Sequence, residues 1–361
     1  MRIVVTGGTG FVGRPLVKRL LELGHEVSVV SRSPERAKES LCLETAWSWE
    51  NLEECFAGGV DAVIHLAGET VQGRWSAKKE TEVWESRIRT TTQIAEAIEA
   101  AEVPPKVWIS ASGIGFYGEG GERELQEQDA AGDDYFARLC VKWENIALST
   151  ARSGRRVVCT RFGIILGEGG GALKAMMLPT KSGIGGPLGS GKQWWSWISL
   201  EDVVGALVHV LEHDGVSGPV NVVAPTPMRQ GEFQKLLSRA LHRPSWIPAP
   251  AFGVRLLLGR FADEVLSSKR VMPTVLTETG FEWSMPTLKE VFDALYGGKS
   301  VGIVLPLVGA FALMGAPYGK TPHLVDIANE LAGSSASVEV VGHAGMHLAL
   351  VPWLLFALYC R

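Results

Sequence analysis

The stretch Thr6-Gly7-Gly8-Thr9-Gly10-Phe11-Val12-Gly13 decides the fold of this 361-residue chain. It follows a short β-branched run, residues 3–6, and opens a segment in which apolar residues recur at helical spacing. Glycines placed between a strand and a helix are typical of a dinucleotide-binding βαβ unit. Gly7 permits the tight turn, Gly10 lets the backbone approach a pyrophosphate, and Gly13 lets the helix pack closely on the strand.

The helix that follows this turn supplies the binding groups. Backbone N–H groups at a helix N-terminus have no partner within the helix and attract a phosphate. The N–H groups of Gly10, Phe11 and Val12 occupy that position. We therefore predict that Gly7, Gly10, Phe11, Val12 and Gly13 form a nucleotide site.

The end of the second predicted strand, residues 25–30, indicates which dinucleotide binds. An NAD site usually has Asp or Glu at this point, which accepts a hydrogen bond from the ribose 2′-hydroxyl. The chain has Ser31 and Arg32 instead, a hydroxyl donor and a positive charge that suit a 2′-phosphate. The alternative is that Arg32 is a solvated loop residue. The position favours NADP over NAD.

Another predicted strand, residues 61–66, ends at the same sheet edge. The residues at and after its end are mostly small, which would let the adenosine side of the cofactor lie against the backbone: Leu66, Ala67, Gly68 and Glu69. We interpret His65 as a packed core residue and not as a catalytic one.

Strands alternate with helices over the first half of the chain, which predicts an α/β fold with a doubly wound, parallel Rossmann sheet. A long helix is expected over residues 77–101 and a glycine-rich loop over 167–187. We divide the chain into an NADP-binding Rossmann domain at 1–168, a smaller, mostly helical C-terminal lobe at 169–296, and a hydrophobic tail at 297–361.

Composition excludes several classes of function. Lys and Arg number 35 against 39 Asp and Glu, giving a net charge of −4. Nonspecific binding of nucleic acid needs a basic surface, so we expect no nucleic-acid partner. The five cysteines form no CxxC pair, which argues against a zinc site or a disulfide framework, and no metal site is predicted.

These motifs together resemble a known family, the extended short-chain dehydrogenase/reductases of the nucleoside-diphosphate-sugar epimerase superfamily. Within it, the chain is similar to an atypical epimerase-like group found in bacteria, plastids and animals. The resemblance covers about residues 1–296 and rests on residues 6–13, 65–69, 110–118, 142–144, 161–167, 185–191, 196–198, 243–248 and 270–273.

The resemblance implies further site residues. Glu82, Arg87 and Ile165 are expected to contact the cofactor, and Ser112 is the expected catalytic serine. Plastid and cyanobacterial members are linked to control of division, so the resemblance also implies a protein partner as one role.

The usual catalytic pair of the family, Tyr-x-x-x-Lys, is missing. Counting back from Glu144 places Cys140 where the lysine is expected and Phe136 where the tyrosine is expected. Phenylalanine has no proton to transfer, and cysteine supplies no fixed positive charge. Tyr135 lies one residue out of register. Tyr117 and Lys142 are the remaining candidates as replacements.

Three functions therefore stay open at the level of sequence. The first is an NADP-dependent oxidoreductase or epimerase that acts on an unknown small molecule. The second is a catalytically impaired NADP-binding protein whose output is a protein interaction, and the third is a membrane-tethered scaffold. The cluster at residues 193–197, which contains three tryptophans, either lines a substrate cleft or packs between lobes. We also expect Asp202 to cap a helix over residues 200–212.

The hydrophobic tail is the reason to consider membrane association. Residues 300–319 and 340–360 contain no Asp, Glu, Lys or Arg, and about 20 apolar residues suffice to cross a bilayer. A membrane hairpin is one expectation, and a buried extension is the alternative, because three prolines and several glycines interrupt the two segments. Met1 leads directly into the first strand, so no leader is expected. The predicted location is cytoplasm or plastid stroma, with membrane association through the tail.

Overall fold

The computed structural model describes residues 1–71, 73–152, 154–245 and 247–297. The expected tail at 297–361 lies outside them except for Gly297, and the proposed domain boundaries stay predictions. The strands of the described residues are β1 (Arg2–Thr6), β2 (Glu26–Val30), β3 (Ala46–Trp47), β4 (Ala62–His65), β5 (Val107–Gly113), β6 (Glu124–Leu125), β7 (Arg156–Phe162), β8 (Ile164–Leu166), β9 (Trp194–Trp195), β10 (Trp197–Ser199), β11 (Gly218–Val222), β12 (Met228–Arg229) and β13 (Arg270–Val271).

The main sheet is parallel and has the order β11-β7-β5-β4-β1-β2-β3. From β1 the chain builds outward to β3, returns to β4, and then builds outward in the opposite direction. This reversal between β1 and β4 defines a doubly wound Rossmann sheet, and ligands of such sheets bind at the carboxyl ends of the strands beside the reversal. The predicted fold class is confirmed.

Helices cover both faces of the sheet. They are α1 (Gly13–Glu22), α2 (Pro34–Leu41), α3 (Leu52–Ala57), α4 (Ala77–Ala100), α5 (Tyr135–Leu148), α6 (Gly171–Lys181), α7 (Leu200–Glu212), α8 (Gln230–Ala240), α9 (Ala251–Leu258), α10 (Phe261–Leu266), α11 (Thr274–Glu278) and α12 (Leu288–Tyr296). None of these helices is long and apolar enough to cross a membrane.

Alternation along β1 divides the core in two. Ile3 and Val5 face one side, where they join the apolar residues of α1 and α7. Val4 faces the other side and joins α3, α4 and α5. Because successive side chains of a strand point to opposite faces, an unbroken apolar run marks a strand that is buried on both sides.

The prediction of a loop over residues 167–187 is wrong in the central part of that range, because α6 forms there. The run Ala172–Met177 consists of strong helix formers, and the flanking glycines concealed that signal. Gly171 has a φ of +63° at the start of the helix. A Cβ on Gly170 would lie 2.5 Å from the ring of Phe11, so this glycine lets α6 approach the nucleotide turn closely.

The C-terminal lobe has its own core, formed around Trp197, Phe233 and Phe292. Trp195 and Trp197 are buried in it, which supports the packing interpretation of the tryptophan cluster. Trp194 instead contacts the guanidinium groups of Arg229 and Arg270, which lie 4.1 and 4.7 Å from its ring centre.

The expected cap of α7 is wrong. Ser199 is the N-cap residue, and its side chain accepts a hydrogen bond from the backbone N–H of Asp202 at 2.9 Å. Asp202 accepts instead from the N–H groups of Ser284 and Met285, at 2.6 and 3.2 Å. Its carboxylate thus fixes a distant turn to the start of α7.

Candidate cofactor-binding site

The glycine turn has no room for side chains at two of its predicted positions. A Cβ on Gly7 would lie 2.9 Å from the backbone N of Ala67, and Gly7 has a φ of +71°. A Cβ on Gly13 would lie 2.2 Å from the carbonyl oxygen of Gly7. The turn is closed by a hydrogen bond of 2.9 Å from the N–H of Gly10 to the same carbonyl. The contacts explain why these positions require glycine.

A cleft of about 800 Å³ opens at the carboxyl ends of β1, β2 and β4. This is the place where a doubly wound sheet binds its ligand. The predicted cofactor residues that line it are Gly7, Gly10, Ser31, Arg32, Leu66, Ala67, Gly68 and Glu69. The fold thus brings three separate predicted segments of the chain into one cavity.

The cleft also contains basic residues that the sequence analysis missed: Arg14, Arg36 and Arg89. Arg36 lies on the first turn of α2, directly after the end of β2, so its closeness to Arg32 in the sequence could have indicated it. Arg14 directly follows Gly13. Arg89 comes from α4, and its position in the lining of the cleft depends on the packing of that helix.

Other predicted contacts lie outside the lining of this cleft. The ring of Phe11 contacts α6, and Val12 packs against the core. Glu82 is exposed and lies 3.8 Å from Lys78. Ile165 is paired with Ile198 in a two-stranded sheet. The cofactor-binding roles of these residues stay predictions.

Arg87, on α4, contacts the loop that follows β4 and lies outside the lining of the cleft. Its Nη1 donates to the carbonyl oxygens of Glu69, at 3.0 Å, and Val83, at 3.2 Å. The guanidinium lies 5.2 Å from the ring centre of Trp143 and within 3.3 Å of a Cβ built on Gly68. Arg87 therefore fixes the loop after β4, and its contact with a cofactor stays a prediction.

Two titratable groups near the cleft have clear environments. A hydrogen bond from Lys79 at 2.6 Å lowers the pKa of Glu69. His65 is fully buried, and its ring nitrogens bond to Thr6 at 2.7 Å and Thr91 at 3.1 Å. Burial, with the nearby charge of Arg87, lowers the pKa of His65 to about 3. The prediction that His65 is a core residue is confirmed.

Ser112 is held in a buried network. Its hydroxyl donates to Oε1 of Glu144 at 2.6 Å. The same carboxylate accepts two hydrogen bonds from Arg161, at 2.9 and 2.8 Å, and Arg161 also donates to the Tyr117 hydroxyl at 2.9 Å. The catalytic role expected for Ser112 stays a prediction, and the contacts present bind it to structural partners.

The positions of the missing catalytic pair lie close together on α5. The ring of Phe136 lies 5.1 Å from that of Trp75 and 6.2 Å from that of Phe261. The thiol of Cys140 donates to the carbonyl oxygen of Gly113 at 3.6 Å. Burial, with the charges of Glu144 and Glu264 added, raises the pKa of Cys140 to about 12. The thiol is therefore neutral at physiological pH.

The suggested replacements are not assembled into a pair. Tyr117 is buried and donates to Asn221 at 2.7 Å, and burial raises its pKa to about 12. Lys142 is exposed on α5. Tyr135 donates to the carbonyl oxygen of Glu80 at 2.7 Å. These three side chains occupy different environments and form no joint proton-transfer site.

Comparisons with known proteins agree with this geometry. The human epimerase family protein SDR39U1 is 39% identical over 80% of this chain and 97% of its own length. Its chloroplastic homologue in Arabidopsis thaliana is 38% identical over 82% of this chain and 86% of that protein. A crystal structure of human SDR39U1 (isoform 2) with NADPH has a TM-score of 0.75 at 36% identity, and covers 83% of this chain and 100% of that one.

Two family models match the chain. A domain of unknown function, DUF1731, matches residues 249–295. The model described as the NAD dependent epimerase/dehydratase family matches residues 3–224. With the relatives above 30% identity over most of its length, the chain belongs to the NAD dependent epimerase/dehydratase family.

Proposed function

We propose that this protein binds NADP(H) and that the cleft is the cofactor site of an oxidoreductase or epimerase acting on a small molecule. One observation carries the cofactor assignment: Arg32, Arg36 and Arg89 line the same cleft, and Arg32 follows the end of β2. A guanidinium binds phosphate oxygens through several N–H donors at once. The NADPH in the crystal structure of the human relative supports the same assignment.

The rest of the cleft suits the other parts of a dinucleotide. The N-terminus of α1, entered through Gly7 and Gly10, would hold the pyrophosphate. The backbone at Leu66–Gly68 would lie along the adenosine. A Cβ on Gly7 would lie 2.9 Å from the backbone of Leu66 and Ala67, so glycine at this position lets the two segments lie side by side along the cleft. When bound, NADPH would supply a hydride.

A second candidate is an NADP-binding regulatory protein that catalyses nothing. The observation favouring it is the loss of the tyrosine and lysine at positions 136 and 140. Phe136 packs among aromatic rings, and Cys140 is a neutral thiol. An enzyme with this site needs another group to move the proton. Division control and membrane tethering stay predictions.

The test of cofactor choice is titration of the purified protein with NADPH and NADH, followed by nicotinamide fluorescence. Wild type should bind NADPH more tightly. Arg32→Asp should weaken NADPH binding by about 1.5–3 kcal/mol, the value of a hydrogen bond to a charged group, while leaving NADH binding nearly unchanged. Arg19→Asp makes the same charge change on the exposed face of α1 and serves as the control. Equal wild-type affinity for both cofactors contradicts the proposal.

A further inference from the structure

A carboxylate from the C-terminal lobe lies beside the vacated catalytic positions. A Cβ built on Gly115, in the turn after β5, would lie 3.1 Å from Cβ of Phe136 and 3.6 Å from both carboxylate oxygens of Glu264. Cys140 is affected by the same carboxylate, which helps to raise its pKa. Glu264 thus reaches the place where the family has its tyrosine and lysine, although it lies more than 120 residues along the chain.

Glu264 is held there by a buried lysine. The ammonium of Lys269 lies 3.0 Å from Oε2 of Glu264 and also donates to the hydroxyl of Ser267. The Lys269 side chain is 4% exposed, whereas that of Glu264 keeps 21% of its surface accessible. A buried ammonium is stable only beside a partner, so this ion pair fixes the carboxylate in place.

The backbone of Lys269 is itself fixed. Its N–H donates to the carbonyl oxygen of Trp194 at 2.9 Å, and its carbonyl accepts from the hydroxyl of Ser196 at 2.9 Å. These bonds join Lys269 to β9 and to the residue before β10. The ion pair therefore has a rigid support on the C-terminal lobe, as a group that must hold a fixed geometry requires.

We propose that Glu264 is the proton-transferring residue of this site, with Lys269 as its positioning residue, in place of the hydroxyl that Phe136 lacks. This rests on the proposed NADP(H)-dependent function. Both residues lie in the segment that matches the domain of unknown function, residues 249–295, so the proposal gives that segment a chemical role.

The step balances with the cofactor as the hydride partner. In oxidation, the O–H bond of a secondary alcohol breaks and its proton passes to a carboxylate oxygen of Glu264. The hydride of the same carbon passes to NADP⁺, and a carbonyl and NADPH result. Reduction reverses each transfer, and the accessible part of Glu264 exchanges its proton with water.

The neighbouring rings indicate the class of substrate. Phe136 and Phe261 are partly buried beside Trp75, and Glu264 lies three residues from Phe261 on α10. A carbonyl compound or secondary alcohol with an apolar, aromatic substituent fits this surrounding, since ring faces attract one another when stacked or edge-on. Acetophenone and 9,10-phenanthrenequinone are suitable probes.

The experiment measures NADPH oxidation by the full chain with each of these two probes, beside NADPH affinity measured separately. Glu264→Gln should lower kcat about 100-fold or more and leave NADPH affinity unchanged. Added formate should restore much of the rate of Glu264→Ala, because a small acid can occupy the vacated space and carry the proton. Asp263→Asn, which alters the neighbouring exposed carboxylate, should keep the wild-type rate.

Lys269→Met should also lower kcat, but it should add no further loss to Glu264→Gln, because Lys269 acts through that carboxylate. A Glu264→Gln rate equal to wild type, or a Glu264→Ala rate that formate leaves unchanged, overturns the proposal. So does a protein that binds NADPH yet reduces neither probe. Failure to bind NADPH would instead overturn the proposed function.

Discussion

Contacts with distant parts of the chain determine which residue type is required at single positions near the cleft. His65 ends β4, where its two ring nitrogens are bonded to hydroxyls of β1 and α4. The adjacent glycine turn is equally constrained, because a Cβ on Gly13 would lie 2.2 Å from the carbonyl oxygen of Gly7. The bonds of His65 and the close packing of the glycine turn hold this edge of the sheet in one geometry. His65 also makes the stability of the fold depend on pH.

We expect His65 to make the folded protein less stable in acid. Its pKa is about 3 when folded and near 6.5 when unfolded, so between these values the unfolded state binds an extra proton. The free energy of unfolding should therefore fall as pH drops below about 6.5, and this residue should contribute about 2 kcal/mol of loss by pH 5. Urea unfolding at pH 7 and pH 5 measures it.

The comparison for this pH effect is His65→Gln, which should be less stable at pH 7 but should lack that part of the acid loss. A His65→Gln protein with the same pH dependence as wild type would show that the histidine titrates normally when folded.

Among the elements, α7 shows how one helix joins the two lobes. Its buried face packs on the sheet beside α1, and its first turn receives the 284–285 turn through Asp202. Ser199 both ends β10 and caps α7, so its hydroxyl serves the helix start. The prediction of Asp202 as the cap does not agree with the predicted helix itself. A helix that begins at Leu200 has Ser199 as its N-cap residue, and Asp202 then lies within the first turn.

Ser199→Ala should destabilise the protein by about 1 kcal/mol, because the side chain that accepts from the N–H of Asp202 is lost and that donor is buried. Thermal and urea unfolding measure the change. Ser149 is an exposed serine at the C-terminal end of α5. Ser149→Ala is the matched control and should change stability little. Equal effects of the two substitutions would rule out the capping role.

For the whole molecule, the described cores lie within residues 1–297. Both faces of the sheet are covered there, and α11 returns from the C-terminal lobe to pack Leu276 into the sheet core. Lobe and sheet are further joined by the indole of Trp283, which donates to the carbonyl of Val223 at 3.1 Å. From these contacts we expect residues 1–297 to fold without the rest of the chain.

A chain ending at Tyr296 should therefore fold with the melting temperature and NADPH affinity of the full chain, since no described core residue is removed. In membrane fractionation, the full chain should pellet and resist carbonate extraction if residues 297–361 form the predicted hairpin, while the shortened chain should stay in the supernatant. A full chain that stays in the supernatant without detergent contradicts the hairpin.

The sequence by itself determined the nucleotide half of this protein. Local rules were enough for β1, the glycine turn and the segments at 31–32 and 66–69 that line the cleft, because each of these signals lies within a few consecutive residues. The alternation of strands and helices then determined the parallel sheet, since parallel strands need a crossover between them. The loss of the tyrosine and lysine could also be read by counting along α5.

The tertiary structure alone decided what surrounds that half. Arg89 enters the cleft from α4, Ser112 is hydrogen-bonded to Glu144, and Glu264 and Phe136, which are far apart in the sequence, both lie beside Gly115. The partners are separated by tens to more than a hundred residues in the sequence. Neither residue spacing nor secondary-structure propensity predicts that they lie close together in space. Side chains so far apart in sequence meet only when the lobes pack, so the proposed catalytic carboxylate could be found only in the folded chain.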